Sequence, residues 1–227
     1  KYLGTDHTQL YVTPQECMDV IKLIPKLYDE PFADSSQIPT YLISSLANQQ
    51  VKVALSGDAG DEIFGGYNRY QISSKIWKKI SLLPLPIRNI MSSVIMQISP
   101  KNWNLLANSV KKIIPAFDDF ANIGYKLHKG AGVLRSSSDI DLYKSLVSNV
   151  IDPENFVLNS KEKPTILTQN LLDLQNLDIA EKMMFLDLIT YLPDDILCKV
   201  DRASMGASLE NRTPFVNHHI VEFAWSL

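Results

Sequence analysis

The stretch "VALSGDAGDEIFGGYNRY", Val53 to Tyr70, constrains the fold more than any other part of the chain. An apolar run, "VKVAL" at 51–55, stops at Ser56. Being apolar on both sides of Lys52, it reads as a mostly buried parallel strand. Gly57, Gly60, Gly65 and Gly66 follow, interleaved with Asp58, Asp61 and Glu62. From Gly60 onward Ile63, Tyr67, Tyr70, Ser74 and Trp77 recur at helical spacing. A strand passing through a glycine-rich turn into a helix is one unit of an α/β sheet, and open α/β sheets place ligand sites at such strand ends.

The chain has 227 residues, enough for one large domain or a domain with a lobe. It is 45% hydrophobic and 21% charged, so it can bury a core. The formal net charge of −3 gives no basic footprint for nucleic acid or an anionic membrane. Cys17 and Cys198 stand far apart, in no metal-ligand spacing, and read as free thiols of a cytoplasmic chain. No apolar stretch has the length of a membrane span, and no signal peptide is expected in these residues. Both ends read as cut. Residue 1 is Lys, and in "NHHIVEFAWSL" the apolar Ile220, Phe223, Ala224 and Leu227 form a helical face with Asn217 as N-cap, still running at the last residue. A fragment of a longer protein is expected.

Elsewhere, "TQLYV" at 8–12 is a short strand candidate. Thr13, Pro14 and Glu16 then have capping-box spacing, and the helix they open is expected to run to about Tyr28. A polar loop, "DEPFADSSQIP", leads to a helix of about ten residues after Pro39. From Ile87 to about Leu158 helical periodicity dominates, as around Trp103 to Ile113, Phe117 to His128 and Ile140 to Val150. "SSSD" at 136–139 is a helix start. The last third is helical again, with breaks expected at Pro193 and Pro214. The fold class is helix-rich α/β.

The acids in the glycine-rich turn point away from a simple phosphate cradle. No Lys-Ser/Thr pair follows the glycines, so this is not a Walker A loop. Carboxylates beside phosphates are reasonable if Mg²⁺ lies between them, since Mg²⁺ takes one or two carboxylates plus phosphate oxygens. The bland alternative is that Asp58, Asp61 and Glu62 are first-turn helix acids, favoured by about 0.3–1 kcal/mol. Gly65 and Gly66 argue for function, because each costs about 1 kcal/mol within a helix and a plain helix start does not need them. A second dense stretch, "YLPDDILCKVDRASMGASLENRTPF" at 191–215, carries an Asp195/Lys199 i,i+4 pair and a run of small residues, Ala203, Ser204, Gly206, Ala207 and Ser208. It is either a solvated charged face or a helix that packs closely or borders a ligand. Three features are set aside. "GAGVLR" at 130–135 lacks a third glycine and reads as a loop. "NRT" at Asn211 is a chance acceptor pattern. His218 and His219 are neighbours that suit a surface or cap role.

Together "LSGDAGDEIFGGY" and "YLPDDILCKVDRASMGASLENRTPF" resemble the synthetase domain of glutamine-dependent asparagine synthetases. The loop "EPFADSSQIPTYLIS" looks like the bacterial subset associated with amidation of sugars in surface polysaccharides. The resemblance spans nearly the whole chain. It implies a partial ATP-pyrophosphatase-type parallel sheet with an additional helical lobe. The corresponding portions are a nucleotide-site portion at 1–80, a helical portion at 81–180 and returning site helices at 181–227. It implies ATP and Mg²⁺, adenylation of a carboxylate with release of pyrophosphate, and attack by glutamine-derived ammonia. By the same resemblance Ser56 and Gly57 touch the nucleotide, and Asp61 ligates Mg²⁺. Asp58 holds an acidic position, usually Glu in the family, important for forming the acyl-adenylate, and Tyr67 lies near that intermediate. The family's Ser-Gly-Gly-x-Asp-Ser pyrophosphate loop, its glutaminase domain and a downstream lysine are not among these residues, so the piece alone is expected to be inactive. The implied partners are a small-molecule carboxylate and the glutaminase domain of the same full-length chain, with a homodimer also open. Alternatives are the same adenylation on a sugar acid, ring closure in place of amidation, or a catalytically silent interaction module.

Overall fold

The computed structural model describes residues 3–111, 122–148, 150, 154, 157–168 and 174–227. The segments expected to be helical at 112–121 and 149, and parts of the stretch at 151–156, lie outside the described residues. Among the described residues the fold is helix-rich α/β, with a two-stranded parallel sheet. The chain divides into two compact units, residues 1–67 with 184–227, and residues 68–183.

The first unit begins with residues 8–12 in extended but unpaired backbone, exposed throughout. No described strand lies beside them, so the strand expected there does not form. Thr13 caps α1 (Pro14–Ile21) with both arms of the capping box. The helix ends seven residues before Tyr28 because Pro25 lacks an N–H and its ring opposes the carbonyl four residues back. Pro25 instead sits in the first turn of a new helix, α2 (Ile24–Tyr28). By the same logic α3 (Gln37–Asn48) starts two residues before Pro39, which occupies the first turn, where N–H groups have no helical partner.

Strand β1 (Val53–Leu55) pairs in parallel with β2 (Glu210–Arg212), with Val53 opposite Glu210 and Leu55 opposite Arg212. The parallel sense is as expected; the burial is not. Val53 is 40% and Leu55 73% exposed, because a two-stranded sheet leaves faces that its own residues cannot cover. The expected continuous helix from Gly60 is two helices, α4 (Gly60–Phe64) and α5 (Asn68–Ile80), separated at Gly65, whose φ of +67° is left-handed. Near the end of the chain α10 (Ile179–Ile189) runs into a π-helical turn (Leu192–Leu197) and then α11 (Cys198–Gly206). Pro193 therefore does not break the rod. The wider turn absorbs its missing N–H, while Asp194 N–H still reaches the Thr190 carbonyl at 3.0 Å. Pro214 does mark a break, into a 3₁₀ turn, before α12 (His218–Ala224). Asn217 caps α12 as expected, and the helix closes at Ala224 with Trp225 as its C-cap. The small residues of α11 do pack closely. Ala203 and Ser204 are buried against neighbouring helices, and a methyl on Gly206 would strike Leu27 of α2.

The second unit comprises α5, α6 (Leu85–Gln97), α7 (Pro100–Lys111), α8 (Ile123–Leu134) and α9 (Asp139–Val147), with the first residues of α10. Helix α8 packs on α6, α7 and α9. It contains most of "GAGVLR", so the loop reading is corrected. Ala131 and Val133 are buried, and the α8 end is tied down by buried Arg88, which donates to the carbonyls of Leu134 and Ser136 at 3.4 and 2.7 Å. Tertiary contacts outweigh the low helix propensity of two glycines. Ser138 caps α9 as the "SSSD" pattern predicts. Described residues 157–168 are turns and irregular backbone, so helix does not extend to Leu158.

Where α8 meets α7, Gly124 N–H bonds Asn104 Oδ1 at 2.9 Å, and a methyl on Gly124 would overlap the Pro100 carbonyl. Backbone cannot swing aside as a flexible side chain can. Gly124→Ala is expected to cost about 1–3 kcal/mol as overpacking, read as a lower urea midpoint at unchanged slope. An unchanged midpoint would show that α7 and α8 are not fixed at this contact.

Candidate functional site

All five sequence-predicted site residues, Ser56, Gly57, Asp58, Asp61 and Tyr67, lie in the first unit. They follow β1 in a single sweep of backbone. Ser56 N–H donates to the Arg212 carbonyl at 2.9 Å, extending the sheet by one bond, and its hydroxyl lies 3.3 Å from Thr213 Oγ1. Since the Ser56 amide is used by the sheet, its hydroxyl is the group left for chemistry. Gly60 N–H then bonds the Gly57 carbonyl at 3.2 Å, closing a tight turn. Ala59 in this turn has φ +72° and ψ −10°, the conformation of the third residue of a type II turn, where glycine is usual. An alanine there bears roughly 1–2 kcal/mol of strain. Its methyl is 1% exposed and packs with Leu192 and Ile196 of the π-helical turn, with Phe215 alongside, which offsets part of that cost.

The two distant motifs thus meet. Residues 56–60 sit against 192–197 and beside 212–215. Phe64 meets Phe215 edge to face with ring centres 5.9 Å apart, and Tyr67 meets Tyr191 at 6.3 Å.

The glycines divide by role. No atom lies within 4 Å of where a side chain on Gly57 would begin, so the chain's own packing does not demand glycine there. Gly65 is required by its left-handed φ, and its N–H and that of Gly66 both return to the Asp61 carbonyl. A methyl on Gly66 would fall inside the Asp61 carboxylate. The expectation that a structural helix start has no use for these two glycines is therefore corrected. They end α4 and leave room for the Asp61 side chain.

The three acids occupy three environments. Asp61 is exposed, Asp58 is half-buried and Glu62 is 1% exposed. Tyr67 Oη donates to Glu62 Oε1 at 2.8 Å. Burial holds the Glu62 carboxyl above its usual range, opposed by the Tyr67 hydrogen bond and reinforced by nearby Asp187 and Asp61. Sequence reasoning weighed Glu62 with Asp58 and Asp61 as a metal-facing or first-turn acid and gave it no role of its own. The sequence signal for it is slight: Glu62 stands directly before apolar Ile63, and Asp61 already meets the helix-start preference for an acid.

The second motif holds a buried polar cluster. Lys199 Nζ lies 3.2 Å from Asp34 Oδ2, not on Asp195 as the i,i+4 spacing suggests, since the π-helical turn rotates Asp195 out of four-residue register. Lys199 is buried, so the solvated-face alternative is excluded for it. Burial raises the Asp34 carboxyl, but hydrogen bonds from Ser36 and the Lys199 charge outweigh it and hold it below its usual value. Asp195 is the reverse. Burial and then Asp34 push its carboxyl up, Lys199 only partly compensates, and its Oδ1 is buried without a hydrogen bond. An open cleft of about 500 Å³ lies along Pro25, Asp29, Pro31 and Phe32, and none of the five candidate residues lines it. His218 and His219 are exposed, their rings 3.9 Å apart.

Among the described residues no group of three His, Cys, Asp or Glu side chains is placed to hold a metal ion. Asp61 offers a single exposed carboxylate. That suits one arm of a Mg²⁺ site completed by phosphate oxygens and water, and not a self-contained protein cage. No described helix is long and apolar enough to cross a membrane.

The family model described as asparagine synthase matches residues 1–227. Curated relatives include asparagine synthetase [glutamine-hydrolyzing] 1 of Bacillus subtilis, 27% identical over 98% of this chain and 32% of the relative. A putative asparagine synthetase [glutamine-hydrolyzing] of Mycobacterium tuberculosis is 27% identical over 98% of this chain and 31% of the relative. Putative asparagine synthetase [glutamine-hydrolyzing] 2 of Methanocaldococcus jannaschii is 31% identical over 90% of this chain and 35% of the relative. The chain spans about a third of the length of these relatives. No solved structure matches it.

Asp195 makes the stability of the fold depend on pH. Its folded pKa is raised above the unfolded value of about 3.9. It therefore favours the fold when protonated, and that contribution is lost as pH rises through the unfolded and then the folded pKa. Asp195→Asn is expected to raise the denaturation midpoint at pH 7, with the gain vanishing by about pH 3, below the unfolded value. A lower midpoint at pH 7 would mean that the ionised carboxylate is well solvated.

Proposed function

Since the chain belongs to the asparagine synthase family, we propose that it is part of an ATP-dependent amidotransferase. It adenylates a carboxylate and passes glutamine-derived ammonia to it, giving the amide, AMP and pyrophosphate. The observation that carries this reading is the turn after β1. An empty approach at Gly57, an exposed Asp61 carboxylate seated over Gly66, and half-buried Asp58 lie within six residues of one strand end. That is where open α/β folds bind nucleotides.

In this reading the Ser56 hydroxyl and the Gly57 backbone border the nucleotide, and the missing side chain at Gly57 lets it come close. Asp61 would hold Mg²⁺, which when bound neutralises phosphate charge growing toward the leaving pyrophosphate. Asp58 and Tyr67 face the reacting carboxylate. Residues 1–80 and 181–227 carry the nucleotide site and 81–180 the helical portion. The exposed β1–β2 pair is then part of a larger ATP-pyrophosphatase-type parallel sheet completed by the rest of the full-length protein. The glutaminase domain and the pyrophosphate loop also belong to that remainder, and the 227-residue piece alone is inactive. The acceptor is aspartate in the parent reaction. The loop "EPFADSSQIPTYLIS" favours a second reading, in which a sugar acid is amidated in surface-polysaccharide synthesis. The protein works in the cytoplasm, where ATP is available.

In the full-length enzyme Asp61→Asn is expected to abolish pyrophosphate release at saturating ATP while glutamate release from glutamine continues. Each 1.4 kcal/mol of lost transition-state stabilisation is about tenfold in rate. Pyrophosphate release at the wild-type rate would reduce Asp61 to a first-turn helix acid.

A further inference from the structure

Glu62 is the one acid of the β1 turn whose placement the proposed chemistry leaves unexplained. Helix α4 is five residues long, and Glu62 and Ile63 are its two buried positions. Exposed Asp61 already puts negative charge in the first turn, so the helix dipole does not require a second, buried acid. A core position of this size is ordinarily apolar, because burying a carboxylate is costly unless a partner bonds it. Tyr67 supplies one such partner through its hydroxyl, 2.8 Å away. The chain reverses at Gly65 between the two, so acceptor and donor are five residues apart on opposite sides of a left-handed corner. Tyr191 packs edge-on against the Tyr67 ring and limits its tilt from another side.

We propose that Glu62 is a positioning residue of the synthetase site, its buried carboxylate oxygen fixing the Tyr67 hydroxyl and so the face that Tyr67 turns to the reacting carboxylate. This rests on the reading that Tyr67 borders that carboxylate. A hydroxyl held by an acceptor has its proton committed. The ring need not be ordered again when substrate binds. The requirement is an acceptor at Oε1, not a charge, so an amide oxygen meets it and a thioether, only a weak acceptor, meets it poorly.

The experiment measures carboxylate-dependent pyrophosphate release by the full-length enzyme carrying Glu62→Gln, Glu62→Met and Tyr67→Phe, singly, and Glu62→Met combined with Tyr67→Phe. Glu62→Gln is expected within about threefold of wild-type kcat, and Glu62→Met at least tenfold below it, both with the KM for ATP within twofold. Adding Tyr67→Phe to Glu62→Met should cost less than Tyr67→Phe costs alone, since the two variants share the loss of the Glu62–Tyr67 hydrogen bond. Wild-type kcat in Glu62→Met overturns the proposal. So does a Gln variant as impaired as the Met variant, or a double variant whose losses multiply. If Glu62→Met does not fold, Glu62→Ser, whose shorter side chain cannot reach the Tyr67 hydroxyl, takes its place: wild-type kcat in that variant, or an impaired Glu62→Gln, overturns the proposal. Absence of carboxylate-dependent pyrophosphate release in the wild-type enzyme is a different failure, that of the synthetase reading itself.

Discussion

The three-residue parallel pairing of β1 with β2 holds together everything that the candidate site contains. It joins segments about 150 residues apart in sequence. If the intervening chain were flexible, closing such a loop would cost on the order of 4 kcal/mol. Each backbone bond of the pair returns only about 1 kcal/mol net. Register is therefore secured by what flanks the strands. The Ser56 amide reaches Arg212, the Ser56 hydroxyl sits beside Thr213, and Ala59, Leu192, Ile196 and Phe215 pack behind the turn. Slipping the pair by one residue would exchange the faces of every strand residue and pull Ala59 from its apolar contact.

Around this anchor the first unit concentrates conformations that a purely structural domain has little reason to keep. Ala59 takes a left-handed φ, Asp195 buries an oxygen without a partner, and Glu62 buries a carboxylate. The helix approaching the site widens to a π turn at Pro193. Each is locally unfavourable, and all lie within the two motifs that meet at the sheet. Such a concentration accords with a site that trades stability for geometry.

Much of this was legible in the sequence wherever a local rule had no competitor. Thr13, Ser138 and Asn217 cap helices as their side chains predict. The apolar run before Ser56 is a parallel strand, and the small residues of α11 do mark close packing. Failures came where distant chain supplied what local sequence lacks. Arg88 terminates α8 from another helix, so "GAGVLR" is helical. Asp34, from a loop far upstream, captures Lys199 from Asp195. Nothing local to "TQLYV" reveals that no described strand lies beside it, and nothing local to "LPDDIL" announces a π turn. The glycines show the same limit. Spacing marked Gly65 and Gly66 as costly, but only the backbone shows that one ends a helix and the other clears space for Asp61.

In the proposed reaction the turn after β1 is one wall of a site where a carboxylate attacks ATP. Isotope exchange between pyrophosphate and ATP, catalysed by the full-length protein, tests it most directly, because exchange requires reversible formation of the acyl-adenylate and needs no ammonia. Exchange is expected to depend on Mg²⁺ and on an added carboxylate, tried as aspartate and as a panel of hexuronic acids. Exchange that proceeds equally without any carboxylate, or no exchange with every acid in the panel, would contradict it.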